Sequence, residues 1–73
     1  MAGTQQWYRV VYFVGGKVHG LGRVLDMTPS RYSLDPFRSR LLLAGITGGH
    51  LALVNERTGV VAARRPVGPR PRG

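Results

Sequence analysis

The sequence predicts a small, mostly β domain, either an antiparallel sheet or a five-stranded SH3-like barrel, with at most one short helix and a disordered basic C-terminal tail. Three observations favour this class. Short runs of aromatic and β-branched residues recur, glycine-containing turns separate them, and the last residues hold proline and arginine but no apolar run. The 73 residues suffice for one domain, and a hydrophobic content of 42% suffices for its core.

The first two strands are predicted as a hairpin. Residues 7–14 are dense in aromatic and β-branched side chains, which favour a half-buried pleated surface. Gly15 and Gly16 follow at once and suit the positive φ angles of a two-residue hairpin turn. Residues 17–25 are therefore expected to form the returning strand.

The middle of the chain allows two interpretations. Asp35 followed by Pro36 suits the N-cap and first position of a short helix, which Gly45 would end. In the competing interpretation residues 41–46 form a strand, since an apolar run this short fits either periodicity. We favour the strand, with at most one helical turn near Pro36, and whether residues 36–44 are helix or strand stays open at this point.

The last structured part is predicted as a second hairpin. Residues 51–54 and 60–63 are apolar, and Gly59 in the loop between them can take the left-handed conformation of a hairpin turn. The three prolines that follow predict an extended tail. We therefore expect one β-rich domain over residues 1–65 and a flexible Pro/Arg tail over residues 66–73.

A turn at Gly15-Gly16 determines which side chains share a face of the first hairpin. One face is then apolar and contains Trp7, Val11, Phe13, Val18, Gly20 and Val24. The other face interleaves aromatic and basic side chains, among them Tyr8, Tyr12, Lys17, His19 and Arg23. Because rings stack on bases and cations meet phosphates, this second face is a candidate nucleic-acid-binding surface. The alternative is a solvated face whose cations and hydroxyls contact only water.

The charge of the chain favours a polyanionic partner. The formal net charge is +8, ten of the eleven basic residues are arginine, and only three residues are acidic. Such a chain attracts nucleic acid first, and acidic proteins or anionic membrane surfaces next.

The C-terminus is the second candidate site. Residues 64–73 hold four arginines and no acidic residue, and the candidate contacts are Arg64, Arg65, Arg70 and Arg72. An arginine arm can lie along a phosphate backbone and gain affinity by counterion release. The alternative is a solubilising terminus without a partner.

We therefore expect a small basic nucleic-acid-binding protein that contacts DNA or RNA mainly through phosphates. The preference for arginine over lysine suggests a GC-rich genome, hence a bacterial or phage accessory or regulatory factor. The alternative is a protein-interaction module, a phage-encoded inhibitor or virion assembly subunit, that binds an acidic protein partner. Stacking on bases requires Tyr8 and Tyr12 to be exposed, whereas an assembly subunit would expose a contiguous apolar patch.

Catalytic groups are few, so we expect no enzyme, no cofactor and no metal site. The titratable candidates for acid–base chemistry are Asp26, Asp35, Glu56, His19 and His50. A metal-independent ribonuclease toxin remains the enzymatic alternative. It would need both histidines in one cleft, together with Tyr12 and Arg23.

Cysteine is absent, which excludes disulfides and fits a cytoplasmic location. The first residues lack the features of a signal peptide, and the apolar runs are too short to cross a bilayer. A domain this small without disulfide or metal gains stability from a partner chain, so a homo-oligomer is a further expectation.

Overall fold

Four antiparallel strands form one open sheet, and a short helical segment packs on one of its faces. The computed structural model describes residues 5–68. Within that range the elements are β1 (Gln6–Val14), β2 (Lys17–Asp26), a 3-10 helix (Arg31–Leu34), α1 (Asp35–Leu43), β3 (His50–Asn55) and β4 (Val61–Pro66). The strand order is β2-β1-β3-β4, so β1 and β3 are central and β2 and β4 form the edges.

The prediction of a small, β-rich antiparallel fold is confirmed, but the five-stranded barrel is wrong. Residues 41–46 do not form a fifth strand, because residues 35–43 are helical. Pro36 in the first turn has the φ angle of a helix, and Gly45, with φ of 82°, ends the helix as expected. Leu34 rather than Asp35 is the N-cap, because the 3-10 helix runs directly into α1.

Both predicted hairpin turns are present. Gly15 and Gly16 have φ of 55° and 77°, which is the type I′ combination that matches the twist of the strands. In the second hairpin, Gly59 has φ of 76°. The side-chain oxygen of Asn55 accepts hydrogen bonds from the backbone N–H groups of Arg57 and Thr58 and so closes the loop.

The predicted register of the first hairpin is correct only near the turn. Val11 lies opposite Gly20 as expected, but a β-bulge between Val10 and Val11 lets β2 gain one residue, Leu21. Beyond the bulge the pairs are Val10–Gly22, Arg9–Arg23, Tyr8–Val24, Trp7–Leu25 and Gln6–Asp26. This shift of one residue moves the Arg23 side chain to the other face of the sheet. Arg23 therefore lies beside Arg9 and Trp7 and not beside Tyr8.

The core occupies the face of the sheet that the helical segment covers. Its buried members are Tyr8, Val10, Tyr12, Leu34, Leu51, Leu53 and Val67, and partly buried Phe37, Leu41 and Leu42 pack against them. Gly22 leaves room for the helix, since a Cβ there would lie 3.1 Å from the Phe37 ring.

The β1 side chains divide between the two faces as expected, but the prediction of which face is exposed is wrong. Tyr8 and Tyr12 are each only 7% exposed and point into the core, not toward solvent. The Tyr12 hydroxyl reaches the edge of the core and donates to the Gly48 carbonyl over 2.9 Å, which satisfies its polar end. Trp7 and Phe13 lie on the opposite face.

The packed domain extends past the boundary predicted at Arg65. Pro66 belongs to β4, and Val67 is completely buried. The Val67 N–H donates to the Gly49 carbonyl (3.1 Å), and the Val67 carbonyl accepts from Arg38 Nε (2.7 Å). Residues 69–73 of the predicted tail lie outside the described residues.

Substituting Val67 tests whether this segment is part of the core. Val67→Ala removes two buried methyl groups and should lower the free energy of unfolding by about 2 kcal/mol in urea titrations. Val60→Ala is the matched control because Val60 is 62% exposed, and it should change stability by less than about 0.5 kcal/mol. Equal losses in the two variants would contradict the packing described.

Candidate functional site

One face of the sheet has no described element packed against it, and we call it the open face. Its side chains follow from strand alternation and from the cross-strand pairs. They are Trp7, Arg9, Val11 and Phe13 on β1; Val18, Gly20, Arg23 and Leu25 on β2; His50, Ala52 and Val54 on β3; and Val61 and Arg64 on β4.

Large apolar side chains remain exposed on the open face. Trp7, Phe13, Val18, Leu25 and Val61 are between 37% and 60% exposed. Small side chains lie between them at the centre, where Val11 and Ala52 are buried. The two aromatic residues are six positions apart on β1, about 20 Å along an extended strand. An exposed apolar surface of this kind marks a binding site more often than chance.

Positive charge accompanies these apolar groups. Arg9 and Arg23 face each other on β1 and β2, and Arg64 lies across the sheet on β4. Among the described acidic residues, Glu56 adjoins this face. The other two have partners elsewhere: Asp26 accepts from the Ser33 hydroxyl, and Asp35 pairs with Arg65. Positive charge is therefore in excess on the open face.

Trp7, Arg23 and Glu56 contact one another at one end of the face. The Arg23 guanidinium lies over the Trp7 ring, 4.2 Å from its centroid. Its Nε and Nη2 donate to the two carboxylate oxygens of Glu56 over 2.6 and 3.0 Å, which is a bidentate pair. The Glu56 N–H donates to the Trp7 carbonyl, so the loop after β3 is tied to β1 at this point.

The same contacts lower the pKa of the Glu56 carboxyl. Hydrogen bonding from Arg23 is the largest cause that lowers the pKa of the Glu56 carboxyl, and the positive charges of Arg23 and Arg9 add to it. The carboxylate thus stays ionised to lower pH than an isolated glutamate.

Two depressions border the exposed aromatic residues. The larger, of about 620 Å³, is an open hollow beside Trp7, lined by Gln5, Gln6, Trp7, Asn55, Glu56 and Arg57. The smaller, of about 220 Å³, lies at the other end of β1, lined by Phe13, His50, Leu51, Ala52 and Arg64. Each combines an aromatic ring with an arginine.

The residues predicted for the first hairpin do not form one surface. Tyr8 and Tyr12 are buried. The His19 ring stacks on Tyr12 with centroids 6.1 Å apart, on the face that α1 covers. Lys17 is exposed beside the turn, opposite Val14, and Arg23 lies on the open face.

The predicted arginines of the C-terminal segment separate as well. Arg64 and Arg65 are neighbours on β4 and so point to opposite faces. Arg64 belongs to the open face, whereas Arg65 pairs with Asp35 and lies 5.9 Å from the Tyr32 ring centroid. Arg70 and Arg72 lie outside the described residues.

The group required by the ribonuclease hypothesis is not assembled. His19 pairs with Tyr12 and His50 pairs with Phe13, which are consecutive residues of β1. Consecutive residues of a strand point to opposite faces, so the two histidines lie on opposite sides of the sheet. They do not converge in one cleft with Tyr12 and Arg23.

Sequence reasoning missed Trp7, Arg9 and Phe13 as surface residues. Arg9 was the available signal, because an arginine at an odd position of β1 shows that the odd-numbered side chains face solvent. Trp7, Val11 and Phe13 share that parity and therefore that face.

Comparisons of this chain with models of known families, with curated proteins and with solved structures found no match. Over residues 5–68, the helices are too short and too polar to cross a membrane. In the same range, no group of three or more acidic, histidine or cysteine side chains is placed to hold a metal ion.

The Glu56–Arg23 pair can be tested by its titration. Glu56 is the single glutamate of the chain, so its carboxyl ¹³C signal can be followed by NMR against pH. We expect a pKa below the ordinary value of about 4.3, returning toward that value in Arg23→Gln. The pair stabilises the folded protein fully at pH values above the pKa that Glu56 has in the unfolded chain. This stabilisation is lost as the pH falls through the lower pKa that Glu56 has in the folded protein. An unchanged Glu56 titration in the variant would show that the pair does not form in solution.

Proposed function

We propose that this protein binds nucleic acid through the open face of its sheet. The observation that carries the proposal is the exposure of Trp7 and Phe13 on one uncovered face together with Arg9, Arg23 and Arg64. The stacking role first assigned to Tyr8 and Tyr12 is assigned in this proposal to the two aromatic residues of the open face.

The chemistry of the face supports this assignment. Aromatic rings on a sheet stack on bases, and arginines bind phosphates through two parallel hydrogen bonds. The net charge of +8 adds a long-range attraction for a polyanion. Arg23 already donates two hydrogen bonds to the Glu56 carboxylate, which has the bidentate geometry that a phosphate would also accept.

A protein partner is the second candidate, and a specific observation favours it. Val18, Leu25 and Val61 add exposed aliphatic surface to the same face, where they and the aromatic residues form an apolar patch that the Arg9–Arg23 pair interrupts. An acidic protein, or a second copy of this chain, could cover that patch. Sedimentation equilibrium over a range of concentrations tests whether the chain self-associates.

Paired arginine variants test the nucleic-acid proposal. Arg9→Gln/Arg64→Gln removes two positive charges from the open face, and Arg31→Gln/Arg40→Gln removes two from the helical segment. Fluorescence-anisotropy titrations against labelled DNA and RNA should show weaker binding for the open-face pair. The slope of log K against log salt should fall by about two, because about one phosphate contact is lost per arginine.

The Arg31→Gln/Arg40→Gln variant is the control, because it removes the same number of positive charges. Because Arg31 and Arg40 are exposed and lie away from the open face, their loss should leave the salt slope unchanged. Equal effects of the two pairs would show that binding is not localised to the open face. No binding of DNA or RNA by the unmodified protein at low salt would contradict the proposal and leave the protein partner.

A further inference from the structure

We propose that the hollow beside Trp7 accepts one unpaired nucleobase, so that the preferred ligand is single-stranded nucleic acid. This inference rests on the proposed nucleic-acid binding and adds to it a defined subsite and a substrate class. The subsite consists of the Trp7 ring together with Gln5, Gln6 and Arg57 on the wall of the hollow.

The size and lining of the hollow suit a flat aromatic ligand. Its volume of about 620 Å³ lies within the range of small-molecule sites. Trp7 lines this hollow and is 45% exposed. A base that enters can stack on the Trp7 ring, which every base can do because each has a π-face.

The ordered contacts around Trp7 prepare the ring for stacking. Arg23 lies over the ring at 4.2 Å and is itself held by Glu56. Because the guanidinium occupies one face of the indole, a base would stack on the other. The Glu56 N–H also fixes the Trp7 backbone through its carbonyl, so little freedom is lost when a base binds.

The polar wall offers groups that suit a base and its phosphate. The side-chain amide of Gln5 can donate to and accept from the edge of an unpaired base, and that of Gln6 can donate through its NH2 group. The Asn55 amide is already used, because it donates to Gln6 and accepts from the loop backbone. Arg57 is exposed at the rim, where a phosphate of the same strand could reach it.

A base can stack on Trp7 only if it is not already stacked within a duplex. In a duplex each base is already stacked and paired, so presenting one to Trp7 would require unpairing it. A single strand presents its bases without that cost. Phe13, about 20 Å along β1, offers a second ring to the same strand, although its hollow is much smaller at about 220 Å³.

The experiment uses Trp7 as its own reporter, since it is the single tryptophan of the chain. The full chain is titrated with single-stranded oligothymidylate, with a duplex of equal length, and with inorganic polyphosphate. We expect single strands to bind most tightly and to quench the tryptophan fluorescence, because a base stacks on the indole. Polyphosphate should bind through the arginines without comparable quenching.

Variants separate stacking from charge. By anisotropy, Trp7→Leu should weaken oligothymidylate binding about tenfold, while Trp7→Phe should retain most of it because a ring is kept. Phe13→Leu removes the second ring, at the other end of β1, and should have a smaller effect because its hollow is smaller. Far-UV circular dichroism checks that each variant is folded.

Different outcomes contradict the base subsite beside Trp7 and the nucleic-acid binding of the open face. Binding of oligothymidylate without quenching, equal affinity for the duplex, or quenching by polyphosphate as strong as by the oligonucleotide would overturn the base subsite. Each would leave nucleic-acid binding in place. If neither the single strand nor the duplex binds at low salt, the proposed function and this inference are both wrong.

Discussion

Coverage of a single face of the sheet by the 3-10 helix and α1 is the interaction on which the rest of the structure depends. Leu34, Phe37, Leu41 and Leu42 cover the face that carries Tyr8, Val10 and Tyr12 and the buried leucines of β3. Since the described residues provide no second layer, the other face stays open with Trp7 and Phe13 exposed. Among residues 5–68, the helical segment over residues 31–43 is the one element outside the sheet, and it covers one face. The open face is thus a direct consequence of how the core is built.

The β-bulge at Leu21 then determines the chemistry of that face. Without the extra residue, Arg23 would lie opposite Tyr8 on the core side, where its charge would be costly to bury. With it, Arg23 reaches Trp7 and Glu56, and two arginines face each other on neighbouring strands. Like charges at such a position repel, and the carboxylate of Glu56 offsets that repulsion. In the proposed function, a phosphate of the ligand would offset the remaining repulsion in the same way.

The hairpins were predicted from the sequence, whereas the exposed face and the extent of the helix were not. Gly15-Gly16 and Gly59 determine their turns locally, because few residues other than glycine adopt positive φ. The faces of β1 depend on tertiary packing, since both sets of alternating side chains are largely apolar, and only Arg9 distinguished them. The helix over residues 35–43 competed with a strand over residues 41–46, because the apolar run at 41–46 is too short for its periodicity to distinguish them. The bulge leaves no clear local signal, and a slip of one residue is enough to change the partners of Arg23.

Mapping the bound surface by NMR tests the central claim most directly. Backbone amide chemical shifts of ¹⁵N-labelled protein would be followed during titration with single-stranded oligothymidylate. Backbone amides lie in the plane of the sheet, so methyl and indole signals should be followed as well. The account predicts that the largest changes fall on open-face side chains, with the Trp7 indole, the Val18 methyls and the Leu25 methyls foremost, while Leu34 and α1 change little. Changes concentrated on α1, or spread evenly over both faces, would contradict it.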